Sequence, residues 1–298
     1  MAVEFSGKKV AALGGDRRQY WFIEEALKAG LAVNGIGLPP EVDKLIGNPQ
    51  ANSVGDALDG VDAVLFPIPR LSSRRDGSLY SEYEPFPLFV GEDELSRTKK
   101  GAALVLGHAT DELRSNAKKL GMNLLEYSDD DILAIQNSIP TAEGAISYTI
   151  KNTDECFPTL KCMIIGFGRI AVTLARDLRC LGAEVWVAAR RREVRARILQ
   201  MGLHPIRIEE YFDFIEKMDV IYQTAPALML PEEGLKRIRP DALVIELASP
   251  PGGSDFKAAE KLGVRLIWAR AQAGTAPKAA GRWMWQLNAR YLREHWKV

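Results

Sequence analysis

Residues 160–192 read LKCMIIGFGRIAVTLARDLRCLGAEVWVAARRR, and the fold is decided here. Met163, Ile164 and Ile165 form a short apolar run, and Gly166-Phe167-Gly168-Arg169-Ile170-Ala171 follows at once. Val172, Leu174, Ala175, Leu178 and Leu181 then recur at helical spacing up to Gly182. The pattern is strand, tight turn, helix. A second apolar run over 184–188 closes a βαβ unit of the ~30 residues expected for a dinucleotide-binding fold. In such a unit Gly166 permits the turn, Gly168 lets backbone approach a pyrophosphate, and the small Ala171 lets the helix pack on the strand. Free N–H groups at the helix start, around Arg169 and Ile170, then meet the phosphates.

A site for NAD usually places Asp or Glu after the second strand, to bind the ribose 2′-hydroxyl. This chain has Ala189-Arg190-Arg191-Arg192 instead. A carboxylate repels a 2′-phosphate and guanidinium groups bind it, so the pocket is expected to take NADP, with NAD as the alternative. A solvated basic helix start is the competing reading of the same residues.

The chain has 298 residues, enough for two domains with separate cores. Its 39 Lys and Arg balance 39 Asp and Glu, so composition points to no nucleic acid and no anionic membrane as partner. Cys156, Cys162 and Cys180 have no metal-ligand spacing and are too few for a disulfide framework. No metal site is expected. The start, MAVEFSGKKVAAL, lacks a cationic segment followed by a long apolar stretch, and no window approaches the ~18 apolar residues of a membrane span. A cytoplasmic protein is expected.

Taken in order, 9–13 reads as a first strand, Gly14-Gly15-Asp16-Arg17-Arg18 as a loop, and 19–29 as a helix ending at Gly30. The glycine pair is a place where backbone N–H groups can meet an anion. Further strands are expected over 32–36, 61–66, 103–106 and 124–127. The third enters Pro67-Ile68-Pro69-Arg70 and the fourth enters Gly107-His108-Ala109-Thr110. The segment 71–94 has no clear period and reads as a long surface loop. Asn137-Ser138-Ile139-Pro140-Thr141-Ala142-Glu143-Gly144 is expected to start a helix running to about residue 152. Ser138 or Thr141 would cap it, Pro140 would lie in its first turn, and its positive end would face a groove between domains.

Beyond Arg192, helices over 193–200 and 209–216 alternate with strands over 204–207, 219–223, 243–247 and 264–268. Two strand ends, at Thr224-Ala225-Pro226 and at Ser249, are candidate cofactor contacts. From Thr275 a last helix presents Trp283, Leu287, Tyr291 and Leu292 on one face, expected to pack back across the first domain. The fold class is α/β, with two Rossmann-like doubly wound domains, an inter-domain cleft and a C-terminal helix crossing back. The expected division is 1–140 for a substrate domain and 141–298 for the NADP domain.

Five segments together carry a family likeness: Gly14-Gly15-Asp16-Arg17-Arg18-Gln19, the Asn137–Gly144 run, Gly166–Ala171, Glu246-Leu247-Ala248-Ser249-Pro250-Pro251-Gly252-Gly253, and Ala276-Pro277-Lys278-Ala279-Ala280-Gly281. In their order and spacing the chain resembles the dipicolinate synthase A-subunit family over nearly its whole length. More distantly it resembles the D-2-hydroxyacid dehydrogenases, alanine dehydrogenases and adenosylhomocysteine hydrolases. Pro251 and Ala279 depart from the family's pattern at those two loops. The resemblance implies an oxidoreductase of sporulation, in the mother cell of a spore-forming bacterium. It would make pyridine-2,6-dicarboxylate from a cyclic product of the lysine pathway, alongside the flavoprotein-like B-subunit of dipicolinate synthase, and a homo-oligomer is expected.

Aromatising a dihydropyridine dicarboxylate needs a hydride acceptor, a base and cations for two carboxylates. Asp16 and Arg17 after the first glycine turn, with Ser138 and Thr141 at the expected helix start, are the candidate substrate contacts. Among His108, His204 and His295, only His108 follows a strand of the first domain, and an imidazole there suits proton abstraction. It could equally hold its own loop. Glu143 is the alternative base, and Lys278 could bind a carboxylate or be solvated. A hydroxy- or amino-acid dehydrogenase, and an NADP-binding regulatory protein whose chemistry resides in a partner, are the competing functions.

Overall fold

A computed structural model describes residues 4–67, 77–269 and 272–298. Residues 68–70 after Pro67, and 71–76 of the expected loop, lie outside the described residues. The chain divides into two compact units, Met1–Leu133 with Ala276–Val298, and Ala134–Thr275.

The first unit is built on β1 (Lys9–Leu13), whose KVAAL sequence is buried at all but its first residue. It continues with α1 (Arg18–Lys28), β2 (Ala32–Ile36), α2 (Val42–Ile46), α3 (Val54–Leu58), β3 (Ala63–Leu65), α4 (Glu92–Ser96), β4 (Ala103–Leu106), α5 (Asp111–Lys119) and β5 (Asn123–Glu126). The strands form a parallel sheet in the order β2-β1-β3-β4-β5. Short apolar strands separated by helices pair in this way because a parallel neighbour needs a crossover. Phe22, Ile23 and Ala26 of α1 cover one face of the sheet with Val10, Ala12 and Val105, and Val54, Leu58 and Leu95 cover the other with Leu13, Val64 and Leu104.

The second unit follows α6 (Asp131–Asn152), which opens in the first unit and runs on into the second, and a 3-10 turn at Phe157–Thr159. It contains β6 (Lys161–Ile165), α7 (Arg169–Cys180), β7 (Glu184–Ala189), α8 (Arg192–Gln200), β8 (His204–Arg207), α9 (Phe212–Ile215), β9 (Val220–Gln223), α10 (Glu232–Leu235), β10 (Leu243–Glu246), α11 (Phe256–Leu262) and β11 (Arg265–Trp268). A 3-10 turn at Gln272–Thr275 leads to α12 (Pro277–Trp296), which returns to the first unit. The six-stranded sheet is parallel in the order β11-β10-β9-β6-β7-β8, the doubly wound Rossmann order that reverses direction at β6. Two buried hydroxyl pairs help fasten α6 within this unit. Thr149 Oγ1 lies 2.6 Å from Tyr222 Oη on β9, and Ser138 Oγ lies 2.6 Å from Thr173 Oγ1 on α7.

Three expectations need correcting. The helix expected to start near Thr141 begins at Asp131, because the Asp130 carboxylate accepts the Leu133 N–H at 2.9 Å in the manner of an N-cap. Pro140 therefore lies inside α6, and its missing N–H leaves the Gln136 carbonyl without its helical donor while the helix continues. Ser138 and Thr141 do not cap a helix. Their hydroxyls donate back to the Ile135 and Asn137 carbonyls at 2.7 and 2.8 Å.

The described part of the 71–94 segment is tied down rather than loose. Leu79 and Leu88 are buried and bridge to each other, and α4 begins at Glu92. Ser81 Oγ donates to the Gly37 carbonyl at 2.7 Å and accepts from the Tyr83 and Glu84 amides. Finally, of the expected face of α12, Leu287 and Leu292 are buried, together with Met284, Trp285 and Asn288, whereas Trp283 and Tyr291 are only half-buried.

Ion pairs give the first unit a defined acid response. Burial alone would raise the Asp62, Glu126 and Asp130 carboxyls, but hydrogen bonds from the Lys9, Ala109 and Leu133 amides and from Lys99, Arg114 and Arg290 outweigh it and hold all three below the usual range. A depressed carboxylate contributes stability above its unfolded value and loses it as pH falls through the folded one. The melting temperature should therefore drop as pH falls below about 4, and Asp130→Asn should flatten part of that drop in a calorimetric pH series. Glu246 has the opposite sign, because burial pushes its carboxyl up against the hydrogen bonds it accepts. Its contribution is present at low pH and lost as pH rises through the raised value.

Candidate functional site

At the carboxyl edge of the second sheet, Gly166 adopts φ +95°, and its N–H is taken by the Ala188 carbonyl at 3.0 Å. A Cβ there would lie 2.9 Å from Thr224 Oγ1, which itself donates to the Ile165 carbonyl at 2.8 Å, so glycine is required on both counts. Gly168 is the residue before α7, provides no side-chain cap, and has nothing within 4 Å of a Cβ position. The first-turn amides of α7 therefore follow a residue that puts no side chain beside them. That is the form of a phosphate cradle.

Beside the turn is a cavity of about 380 Å³ in which Gly166, Ala189, Arg190, Arg191, Ala225 and Pro226 meet. Phe167, Val194, Ile208 and Met229 complete an apolar wall suited to a nucleobase. Phe167 stands in the glycine motif, whereas nothing in the local sequence marks Ile208 or Met229. The Arg190 side chain is exposed and has no ion pair among the described residues. Arg191 sits 3.4 Å from Glu193, with both side chains more than two-thirds exposed, a pairing worth little. Arg195 NH1 donates to the carbonyls of Ala189, at 3.0 Å, and Arg190, which fixes the backbone that presents the two arginines. These residues fit a dinucleotide carrying a 2′-phosphate. Ser249 lies on the neighbouring loop, exposed and outside the cavity lining.

The first unit presents its own carboxyl edge. The N–H groups of Gly14 and Gly15, expected to be open to an anion, are spent on the Ile36 and Tyr80 carbonyls at 2.8 and 2.7 Å. Asp16 holds Arg18 in a bidentate pair, with NH2 to Oδ2 at 2.6 Å, and Arg18 is buried. Arg17 is exposed and has no ion pair among the described residues. His108 follows β4, and its Nδ1 lies 3.4 Å from Glu126 Oε1 at the end of β5, the neighbouring strand. Glu126 also accepts the Ala109 N–H at 2.7 Å and a fork from Arg114. Sequence reasoning missed Glu126, although the register Leu106↔Glu126 places it beside the last residue of β4, two before His108.

His108, Arg114 and Glu126 line a cavity of about 530 Å³ with Ser128, Asp129 and Asp130. Arg290 pairs with Asp130, as Arg114 does with Glu126, so among the described residues the cavity offers no spare guanidinium to a dicarboxylate. Arg17 leaves from β1, two places from β4 in the sheet, roughly 10 Å away along the same edge. Two other candidates lie elsewhere. Glu143 is exposed in the interior of α6 rather than at its start, beside a separate cavity with Ser147, Tyr148 and Lys151. Lys278 is exposed, with Nζ 4.8 Å from the Trp21 ring centre on α1. Among the described residues, no three His, Cys, Asp or Glu are grouped to hold a metal, and no helix is long and apolar enough to cross a membrane.

Residues 9–128 match the family model of the N-terminal domain of the dipicolinate synthase A-subunit. Over 290 residues, 97% of each chain, the sequence is 30% identical to the dipicolinate synthase A-subunit of Bacillus subtilis (strain 168). The chain belongs to the dipicolinate synthase A-subunit family. The crystal structure of the dipicolinate synthase A-subunit from Bacillus halodurans superposes with a TM-score of 0.87 at 31% identity, covering 97% of this chain and 98% of that one. An L-alanine dehydrogenase shares the fold at 14% identity, with a TM-score of 0.62 over 96% of this chain and 91% of its own. The distant likeness to two-domain dehydrogenases expected from the sequence thus holds at the level of fold.

Proposed function

We propose that this chain oxidises dihydrodipicolinate, or the hydroxytetrahydro precursor after loss of water, to pyridine-2,6-dicarboxylate, with NADP as acceptor and the synthase's B-subunit as partner. The observation that carries the reading is the second unit's cavity, where an open glycine turn and two exposed arginines adjoin an apolar wall. Membership of the family supplies the substrate class. When bound, the oxidised nicotinamide accepts a hydride from the ring.

The chain's own residues then have two tasks. Aromatisation releases one proton besides the hydride, and His108 takes it, its Nδ1 lying 3.4 Å from the Glu126 carboxylate and its Nε2 left for the ring. Arg17, which has no ion pair among the described residues, holds a carboxylate, and the Asp16–Arg18 pair fixes the loop from which it extends. Thr141 and Ser138 lose the helix-start argument that brought them forward, and Lys278 is placed for a cation–π contact instead.

The test mixes the purified chain, alone and with the B-subunit, with freshly generated dihydrodipicolinate and NADP, and follows pyridine absorbance. Product in either mixture supports the proposal, and none in both overturns it. In the active mixture His108→Ala should lower turnover by about 10²-fold or more while NADP affinity holds, as expected for loss of a general base. Arg17→Ala should chiefly raise KM. A folded His108→Ala variant that turns over at the parent rate would move the base to Glu143.

A further inference from the structure

Two buried polar side chains end adjacent strands of the second sheet. Gln223 closes β9 and Glu246 closes β10, and the two residues are paired in register. Glu246 heads the Glu246–Gly253 run that carries part of the family likeness, but the sequence assigns it no role, and Gln223 ends an apolar run with no motif attached.

Gln223 shapes the cavity side. Its Nε2 donates to the Ala225 carbonyl at 2.7 Å and to that of Ala227 at 3.3 Å, and its Oε1 accepts the Ala225 N–H at 2.9 Å. Glu246 shapes the neighbouring loop, which carries Ser249. One carboxylate oxygen accepts the Ala248 N–H at 3.0 Å, and the other accepts the Gly253 N–H at 3.0 Å and the Ser254 hydroxyl at 2.7 Å.

The two systems meet at Gly253. Its carbonyl accepts the N–H groups of Met229 and Leu230 at 2.8 and 2.9 Å, and Met229 lines the dinucleotide cavity. A Cβ on Gly253 would fall 1.4 Å from Gln223 Nε2 and within 2.7 Å of the Ala225 and Ala227 carbonyls. The absence of that side chain lets the loop close against the wall. Gly253 links Glu246 directly to the cavity wall, because its N–H binds the carboxylate and its carbonyl binds the wall.

We infer that Glu246 is a positioning residue for the dinucleotide, acting through Gly253 to set the Ala225–Met229 wall, so that filling the cavity and closing the Ser249-bearing loop favour each other. The inference rests on the dinucleotide reading of the cavity. Burial makes the latch effective, since a buried carboxylate that loses a donor has no water to replace it. Coupling of this kind is reciprocal: a ligand that tightens the latch must bind more weakly, by the same factor, once the latch is broken.

The experiment is hydrogen exchange on the full chain with and without saturating adenosine 2′,5′-bisphosphate, the part of NADP that occupies the cavity. In the parent, exchange at the Gly253 and Ser254 amides should slow about fivefold beyond any change in the other loops. In Glu246→Gln, whose amide must turn a donor toward one of the three donors now bound, that slowing should vanish and the dissociation constant should rise by a similar factor. Ser254→Ala removes only one hydrogen bond, and should reproduce both effects in weaker form if Glu246→Gln does not fold. A parent that fails to bind the bisphosphate overturns the dinucleotide reading and the inference with it. A parent that binds it with no added protection at Gly253, or variants that bind it with parent affinity, overturn the inference alone.

Discussion

Replacing Arg190 and Arg191 together by Gln should weaken NADP binding at least tenfold and leave NAD binding almost unchanged. Each well-formed charge-assisted hydrogen bond to a 2′-phosphate contributes ~1.5–3 kcal/mol, and every 1.4 kcal/mol is about a factor of ten. The two side chains are available for that role because no buried partner holds them. Arg18, engaged fork to fork by Asp16, shows what a structurally committed arginine looks like in the same chain. Arg195 provides the control, since it binds the Ala189 and Arg190 carbonyls rather than open space, and its loss should weaken both cofactors together. Titration calorimetry reads all of these affinities. Equal affinity of the parent for NAD and NADP would overturn the assignment of the two arginines to a 2′-phosphate.

The dinucleotide half of the molecule was legible because its signals are local. Gly166 has to be glycine for reasons of a single turn, Gly168 keeps the start of α7 free of a side chain, and Arg190 and Arg191 follow a strand that is itself marked by its apolar run. The first unit was legible as strands and helices, but its site was not, since the partner that gives His108 its setting comes from the end of another strand and is recognisable only through the sheet register. The Gly14-Gly15 loop misled for a similar reason. Its amides look free in the sequence, and a distant carbonyl of Tyr80 takes one of them. The start of α6 was misplaced because Pro140 ordinarily marks a first turn, whereas the stronger cap was Asp130, followed immediately by Asp131 and the apolar Ile132 and Leu133. The roles of Gln223 and Glu246 were not legible because a polar residue ending a buried strand acquires its meaning from loops that fold over it.

Trp285→Ala should be the most destabilising single change on the returning helix. Although α12 comes last in the chain, its buried face belongs to the first unit's core, where Trp285 is only 7% exposed. Its indole meets Phe22 edge-on at 5.6 Å and 83°, and Phe5 at 5.9 Å and 88°. Phe5 in turn meets Trp296 at 5.6 Å, so four aromatic rings from the two ends of the chain form one cluster over β1 and α1. Removing a buried Trp of this kind costs ~3–5 kcal/mol, through lost transfer energy and the cavity left behind, and each edge-to-face pair adds ~0.5–1.5 kcal/mol of its own. For a domain of this size that is a fall of roughly 10 °C in melting temperature. Shortening the chain to residues 1–133 would strip Phe5 and Phe22 of their α12 partners and should leave the first unit unable to fold alone, whereas Trp285→Ala should weaken it while the second unit still binds NADP. Thermal unfolding followed by near-ultraviolet circular dichroism, with NADP titration below the transition, reads both effects. A variant that melts within about 2 °C of the parent would mean that α12 is a peripheral strap, and that the core of the first unit is closed by α1 and the sheet without it.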